Sequence, residues 1–197
     1  PARKEVEDLQ HTNTVTVITP AQAAVFAPGN AGDYLVSFRN MNIVAVVDRE
    51  TKLVKWVLTG HFVRQHDPHI LANGNLLIYD NLGGMLDGDR PQGRSRVIEI
   101  DPLTQQIVWQ YEGGTAPEDR FDAAKGGKLQ KLPNGNVLVT HSWQGRVVEG
   151  TGDANPRIVW EFVNLLEASA EGGRVGAVPH AARIDPARLT FLGAPTS

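Results

Sequence analysis

The sequence predicts an all-β fold, a β-propeller-like array of four-stranded blades, and the main observation behind this prediction is an internal repeat. The segment Val47–Trp56 can be laid over Ile100–Trp109, with Asp, Thr, a β-branched residue and Trp at the same offsets, 53 residues apart. A third copy, Asp153–Trp160, is one residue shorter, and its Trp follows that of the second copy by 51 residues. A period near 50 residues is typical of an array of one small structural unit.

Each repeat contains short apolar segments separated by turn signals, which is typical of a propeller blade. Asn-Gly-Asn triplets at 73–75 and 134–136 favour tight hairpins, because Asn and Gly tolerate positive φ values. The predicted strands are Asn13–Ile18, Tyr34–Phe38, Ile43–Val47 and Leu53–Leu58 in the first unit; the approach segment Gln65–Leu71, Leu76–Tyr79, Arg96–Ile100 and Ile107–Tyr111 in the second; and Leu129–Leu132, Val137–Thr140, Arg146–Glu149 and Arg157–Phe162 in the third. One or two helical turns are predicted over Leu165–Ala170.

We interpret residues 1–197 as one propeller-type domain, with blades at about 11–60, 61–114 and 120–164. Residues 175–197 are expected to be the start of a further blade or a tail, because His180–Ile184 aligns with His66–Ile70. Closed propellers usually have four to eight blades, so about three blades resemble half of a propeller. The chain is then a fragment completed by a further segment, an array that closes as a homo-oligomer, or an open array whose edges invite association.

Composition excludes several function classes. Hydrophobic residues make up 41% of the chain and charged residues 21%, which indicates a globular protein and argues against disorder. The net charge of -3 gives no electrostatic footprint for nucleic acid, and no apolar run is long enough to span a membrane. Cysteine is absent, so disulfides, thiolate metal sites and cysteine nucleophiles do not occur.

Three histidines fall at one repeat position. His11, His66 and His180 each stand where the first strand of a unit is predicted to open, and Gly127 takes that position in the third unit. Because the innermost strands of a propeller line its channel, we expect residues at equivalent positions to converge around one axis. Such a ring of imidazoles could bind a metal, or it could serve as nucleophile, acid and base. His141 is predicted at the end of a second strand.

Arginines and one tryptophan are further candidates for a site. Arg90 and Arg94 cluster near Arg96 after a Gly- and Asp-rich loop, and Arg39 follows a predicted strand. Guanidinium groups fit tetrahedral oxyanions well, although solvated loop charge is the alternative interpretation. Trp143 departs from the repeat pattern, because it lies in a predicted loop where it could line a cleft.

At these residues the chain resembles the arylsulfotransferase family (arylsulfate sulfotransferases). The similarity runs in order over roughly residues 11–164. The matching pieces are His11–Val15, Gly32–Asn40, Gln65–Pro68, Asn73–Asn81, Gly93–Val97, Leu132–Val139, Gly145–Arg146 and Val159–Asn164.

The resemblance implies a six-bladed propeller that transfers a sulfuryl group from a phenolic sulfate ester to a phenol through a sulfated histidine. It implies His141 as the sulfated residue, with His180 second, and His66, His11 and either Arg94 or Arg90 as further catalytic groups. His180, Trp143, Arg39 and Asn81 form the expected substrate-binding set. No cofactor and no metal are expected. A periplasmic or extracellular location is implied, and the cytoplasm stays open.

Two other classes of function remain open from the sequence. The propeller could be a binding module for a small aromatic ligand or a protein partner, with histidines that perform no chemistry. It could also be a metal or quinone-cofactor propeller, although no carboxylate-rich metal constellation is present. A nucleotide sulfate donor has no obvious binding loop, because the sequence has no Gly-x-x-x-x-Gly-Lys-Ser/Thr motif.

Overall fold

The computed structural model describes residues 8–82, 94–113, 123–167 and 173–189, and these form three four-stranded antiparallel sheets in chain order. The first blade contains β1 (Thr12–Val17), β2 (Tyr34–Phe38), β3 (Ile43–Val47) and β4 (Val54–Thr59), with the short helix α1 (Pro20–Ala23) between β1 and β2. The second contains β5 (His66–Ile70), β6 (Leu76–Asp80), β7 (Arg96–Ile100) and β8 (Ile107–Tyr111). The third contains β9 (Lys128–Lys131), β10 (Val137–His141), β11 (Arg146–Gly150) and β12 (Ile158–Val163). The prediction of an all-β, propeller-like array of blades is confirmed.

After the third blade the chain forms a two-stranded hairpin, β13 (Leu165–Glu167) with β14 (Arg174–Val175). The helical turns predicted over Leu165–Ala170 are therefore wrong where the structure describes them. The short apolar run pairs as a strand because β14 offers it backbone partners. No helix in the described part of the chain is both long and apolar enough to cross a lipid bilayer.

The Asn-Gly-Asn turns have the conformation that the sequence predicts. Gly74 and Gly135 have φ values of +85° and +86°, a region that favours glycine. The turn asparagines also bind a glutamate on the third strand of their own blade. Asn73 and Asn75 both donate to Glu99 Oε1, and Asn136 donates to Glu149 Oε1. These bonds pin each hairpin to its sheet.

Apolar side chains fill the space between neighbouring blades. One buried cluster joins the first and second blades, and Trp56 packs against it. A second cluster joins the second and third blades, with Trp109 packed against it. Trp160, the third member of this repeat position, is 44% exposed, and Phe162 beside it is also exposed. In the described part of the chain no further sheet covers this outer face of the third blade.

The first strands of successive blades are connected by one recurring hydrogen bond, in which a backbone N–H donates to a side-chain oxygen of the preceding blade. Asp67 N–H donates to Thr14 Oγ1 (3.3 Å) and Leu129 N–H donates to Asp67 Oδ2 (2.8 Å). The tail repeats this contact, since Arg183 N–H donates to Gln130 Oε1 (2.7 Å). Residues 180–185 form no strand, but this bond places them beside β9 as the next first strand would lie.

Candidate functional site: a cationic pocket at the blade ends

Two repeat positions meet at one end of every blade. The first and second strands are antiparallel, so the start of the first strand lies beside the end of the second, as in the pairs Thr12↔Phe38 and His66↔Tyr79. The residue at the start of the first strand is His11, His66 or Gly127, and the residue after the second strand is Arg39, Asn81 or Ser142. Successive blades therefore bring these two sets of side chains to the same end of the array.

A pocket of about 370 Å³ lies at this end of the array. Its lining residues come from all three blades and are His11, Arg39, His66, Lys125, Gly126 and Trp143. Four of them, His11, His66, Arg39 and Trp143, were candidates from the sequence, so the expected convergence of residues from different repeats is seen for these. Lys125 and Gly126 were not candidates.

His66 has a defined tautomer. Its Nδ1 lies 2.7 Å from Asn81 Oδ1 and 3.1 Å from the carbonyl oxygen of Arg64. Both of these atoms are acceptors, so Nδ1 carries the proton and donates, and in the neutral ring the lone pair is on Nε2. Burial lowers the pKa of His66, and the nearby charge of Arg39 lowers it further, against the hydrogen bond to Asn81. The ring is therefore neutral at pH 7, with Nε2 free to act as nucleophile or base.

Asn81 is fully buried, so it supports the pocket from below and does not line it. Its Nδ2 donates to the carbonyl oxygens of Ala123 (2.6 Å) and Gly126 (2.7 Å), which fixes the orientation of the amide and directs Oδ1 to His66. One side chain thus holds both the imidazole of the second blade and the loop that carries Lys125.

Arg39 is buried, with 9% of its surface exposed. Its Nη1 donates to Asn40 Oδ1 (2.8 Å), and among the described residues no carboxylate oxygen lies within 4 Å of its guanidinium. Burial, followed by the charge of Arg64, lowers the pKa of Arg39, but an arginine stays protonated at neutral pH. The charge of Asp8 acts on Arg39 from a greater distance, so among the described residues this buried cation has no direct carboxylate contact, which favours an anionic ligand in the pocket.

His11 is held by a carboxylate. Its Nδ1 lies 2.6 Å from Asp8 Oδ2, and its backbone N–H donates to Asp8 Oδ1 at 2.8 Å. Hydrogen bonds from the His11 backbone and ring lower the pKa of Asp8, so this carboxyl is ionised at neutral pH. The sequence pattern gave only a weak signal for this pair, an acidic residue three positions before a repeat histidine.

Trp143 stands at the open side of the pocket and is 70% exposed, an unusual degree for so large an apolar side chain. It lies in a 3₁₀ turn (Ser142–Gln144) that follows β10. Gly126 packs under this turn, since a Cβ there would meet Ser142 Cβ at 3.0 Å and Trp143 Cδ1 at 3.3 Å. An exposed indole face beside cationic groups can stack on an aromatic ligand.

Lys125 completes the cationic lining of the pocket, and the repeats do contain a signal for it. It lies two residues before Gly127, where Arg64 lies two residues before His66. The presence of glycine at position 127 has a physical reason. Its φ is +133°, and a Cβ added there would lie 2.7 Å from the ring of Tyr79. The tyrosine ring fills the space that a third histidine at this position would need.

His141, the expected sulfated residue, does not line the pocket. It is fully buried, and its Nδ1 lies 2.7 Å from the hydroxyl oxygen of Tyr79. Burial lowers the pKa of His141 to about 3, so its ring is neutral throughout the physiological range. In this geometry a substrate in the pocket cannot reach the imidazole, because the third blade and Tyr79 enclose it.

The remaining candidates lie away from the pocket lining. His180 is exposed in the tail, and Arg94 is half-buried before β7. Arg90 lies outside the described residues. Arg96 is buried in an ion pair with Asp80, with Nε 2.9 Å from Oδ2, so its charge is already balanced. No group of three metal-ligating His, Asp or Glu side chains occurs among the residues that the structure describes.

The fold and the pocket define a propeller-like protein with a cationic, histidine-lined pocket where its blades meet. Residues 1–165 match the model of the arylsulfotransferase (ASST) family, and the chain belongs to that family. Among solved structures it is similar to a protein of unknown function from Bacteroides caccae, with a TM-score of 0.50 and 16% identity. That similarity covers 79% of this chain and 47% of the other, so this chain spans less than half the length of that protein. No match is found among the curated proteins.

Proposed function

We propose that the pocket binds the sulfate group of an aryl sulfate and transfers it to a phenol, with His66 as the nucleophile. The observation that carries this proposal is the buried guanidinium of Arg39, which has no carboxylate oxygen within 4 Å among the described residues and shares the pocket with a neutral imidazole. Membership of the arylsulfotransferase family supports the reaction class. The choice of His66 over His141 follows from accessibility, since only His66 lines the pocket.

The chemistry proceeds in two balanced displacements. First, Nε2 of His66 attacks the sulfur, the bond from sulfur to the aryl oxygen breaks, and the departing phenolate takes a proton from the His11 ring. Then the hydroxyl oxygen of a second phenol attacks the sulfated His66, its proton passes to His11, and the bond from sulfur to nitrogen breaks. Arg39 and Lys125 stabilise the negative charge on the sulfuryl oxygens in both steps.

Trp143 gives the pocket its preference for aromatic esters in this proposal. The indole is exposed at the rim, so an aryl ring can stack on it while the sulfate group reaches the cationic groups below. Neither step needs a metal or a cofactor.

The test is transfer of the sulfuryl group from 4-nitrophenyl sulfate to phenol, measured through the release of nitrophenol. We expect loss of turnover in His66→Ala and retention in His61→Ala, a control that removes a histidine outside the pocket lining. After incubation with donor alone, mass spectrometry should find one SO3 group on the peptide that contains His66. A sulfate group on the His141 peptide would overturn the assignment of the nucleophile.

A second candidate function is binding without transfer. The burial of His141 favours it, because the histidine that the family resemblance implies as the sulfated group is inaccessible here. This candidate predicts that aryl sulfates quench the fluorescence of Trp143 while no nitrophenol is released and no histidine is sulfated. Sulfation of His66 with turnover would rule it out.

A further inference from the structure

The loop before β1 places a carboxylate behind one of the two pocket histidines. Asp8 Oδ2 accepts from His11 Nδ1, and Asp8 Oδ1 accepts from the His11 backbone N–H, so a single carboxylate holds the ring and the main chain of the same residue. Since both carboxylate oxygens are acceptors, Nδ1 carries the proton. Nε2 is then the ring nitrogen left for a ligand in the pocket.

Asn40 connects this carboxylate residue to Arg39. Its Nδ2 donates to the carbonyl oxygen of Asp8 (2.6 Å), while its Oδ1 accepts from Arg39 Nη1 (2.8 Å). The backbone adds a direct hydrogen bond between the two pocket residues, since Arg39 N–H donates to the carbonyl oxygen of His11 (3.0 Å). The bonds from Asp8 and Arg39 also support the left-handed backbone of His11, whose φ is +46°, a value that costs energy for a residue with a side chain.

The two histidines of the pocket therefore differ in their supporting groups. His66 donates to a neutral amide of Asn81, whereas His11 donates to the carboxylate of Asp8. A carboxylate stabilises positive charge on an imidazole better than a neutral amide does, and His11 and Asp8 form this contact with 46% and 64% of their side-chain surfaces exposed. The ring of His11 thus has a charged acceptor behind it, whereas the ring of His66 has a neutral one.

We propose that Asp8 is a positioning residue that holds the His11 ring as the proton carrier of the pocket. Through its hydrogen bond with Asn40, Asp8 also fixes the position of His11 relative to Arg39. This inference rests on the proposed function and deepens it. In the first displacement His11 starts as an imidazolium with protons on both ring nitrogens, and its Nε2 proton goes to the leaving phenolate, which leaves the neutral Nδ1–H ring. In the second displacement the same Nε2 receives the proton of the attacking phenol. Asp8 touches neither substrate and keeps its charge throughout.

The experiment compares Asp8→Asn, which keeps an acceptor and removes the charge, with the wild-type chain over a series of aryl sulfates. Leaving phenols of high pKa need protonation, whereas 4-nitrophenolate leaves without it. We expect kcat/KM for the donor, which reports the first displacement alone, to fall about 100-fold for phenyl sulfate, within the range typical of lost general acid catalysis, and less than about fivefold for 4-nitrophenyl sulfate. Asp185→Asn, which removes a tail carboxylate that caps only Ala187 N–H, is the matched control and should match wild type.

An equal loss of kcat/KM for all donors would overturn the proposal, because it would indicate a merely structural role for Asp8. A second measurement does not depend on turnover. Nitrogen NMR of the neutral His11 ring should show the proton on Nδ1 in the wild type. In Asp8→Ala the population should shift towards the Nε2–H tautomer. An unchanged tautomer would refute the positioning role even if the chain performs no transfer, whereas absence of turnover with the expected tautomer shift would count against the proposed function alone.

Discussion

The burial of His141 predicts a specific dependence of stability on pH. In the folded chain burial lowers the pKa of His141 to about 3, whereas an unfolded histidine titrates near 6.5. Above pH 6.5 both states are neutral and the stability is fully present. As the pH falls below 6.5, the unfolded state gains a proton that the folded state cannot accept, so stability is lost progressively down to about pH 3. Between pH 7 and pH 5 this single ring should lower the free energy of unfolding by about 2 kcal/mol.

Urea denaturation at the two pH values measures this loss, and a His141→Gln variant isolates it. Glutamine keeps a polar group near the hydroxyl of Tyr79 but does not titrate, so the variant should lose about 2 kcal/mol less than the wild type on going from pH 7 to pH 5. His180→Gln, the same change at an exposed histidine, should leave the wild-type dependence intact. If His141→Gln showed the same pH dependence as the wild type, the reasoning that His141 is buried and neutral would be refuted.

Three further outcomes are expected. Arg39→Ala should raise the pKa of His66, because the charge of Arg39 lowers it, and should therefore move the acid limb of the pH–rate profile to higher pH. Arg39→Lys should keep the limb near its wild-type position, and an unmoved limb in the alanine variant would contradict the electrostatic coupling. Trp143→Ala should raise KM for aryl sulfates about tenfold with little change in kcat, consistent with loss of roughly 1–1.5 kcal/mol of aromatic stacking, and an unchanged KM would remove the indole from the binding site. Asp67 is buried, yet hydrogen bonds from His69, Lys128 and the backbone of the third blade lower its pKa to about 2. The free energy of unfolding should therefore fall by about 2 kcal/mol between pH 4 and pH 2, and Asp67→Asn should lack that fall.

The repeats predicted the blades because each strand and turn is specified by residues that lie close together in the sequence. Turn triplets, alternating apolar runs and one Trp in each last strand specify strands without reference to distant contacts. The meeting of His11 and His66 also followed from repeat positions, since equivalent residues in stacked blades lie at the same end of the array. Arg39 lies there for the same reason, as the residue that follows a second strand.

The accessibility of His141 could not be predicted in this way. All five residues of β10 are buried, so the alternation that usually separates inward from outward side chains is absent from this strand. The ring is enclosed by Tyr79, a residue 62 positions earlier whose contact depends on how two blades stack. Asp8 escaped detection because it acts from the irregular loop before β1, where no periodic pattern marks its direction. Lys125 was not among the candidates, although it stands at the repeat position of Arg64.

The repeat positions that build the pocket carry unlike residues in the three blades: histidine, histidine and glycine at one, arginine, asparagine and serine at the other. Recombination that duplicated or exchanged a whole blade would therefore preserve the scaffold and yet change the set of side chains that line the pocket. Point substitutions at the strand ends, by contrast, could change the lining of the pocket one blade at a time without disturbing the sheets beneath.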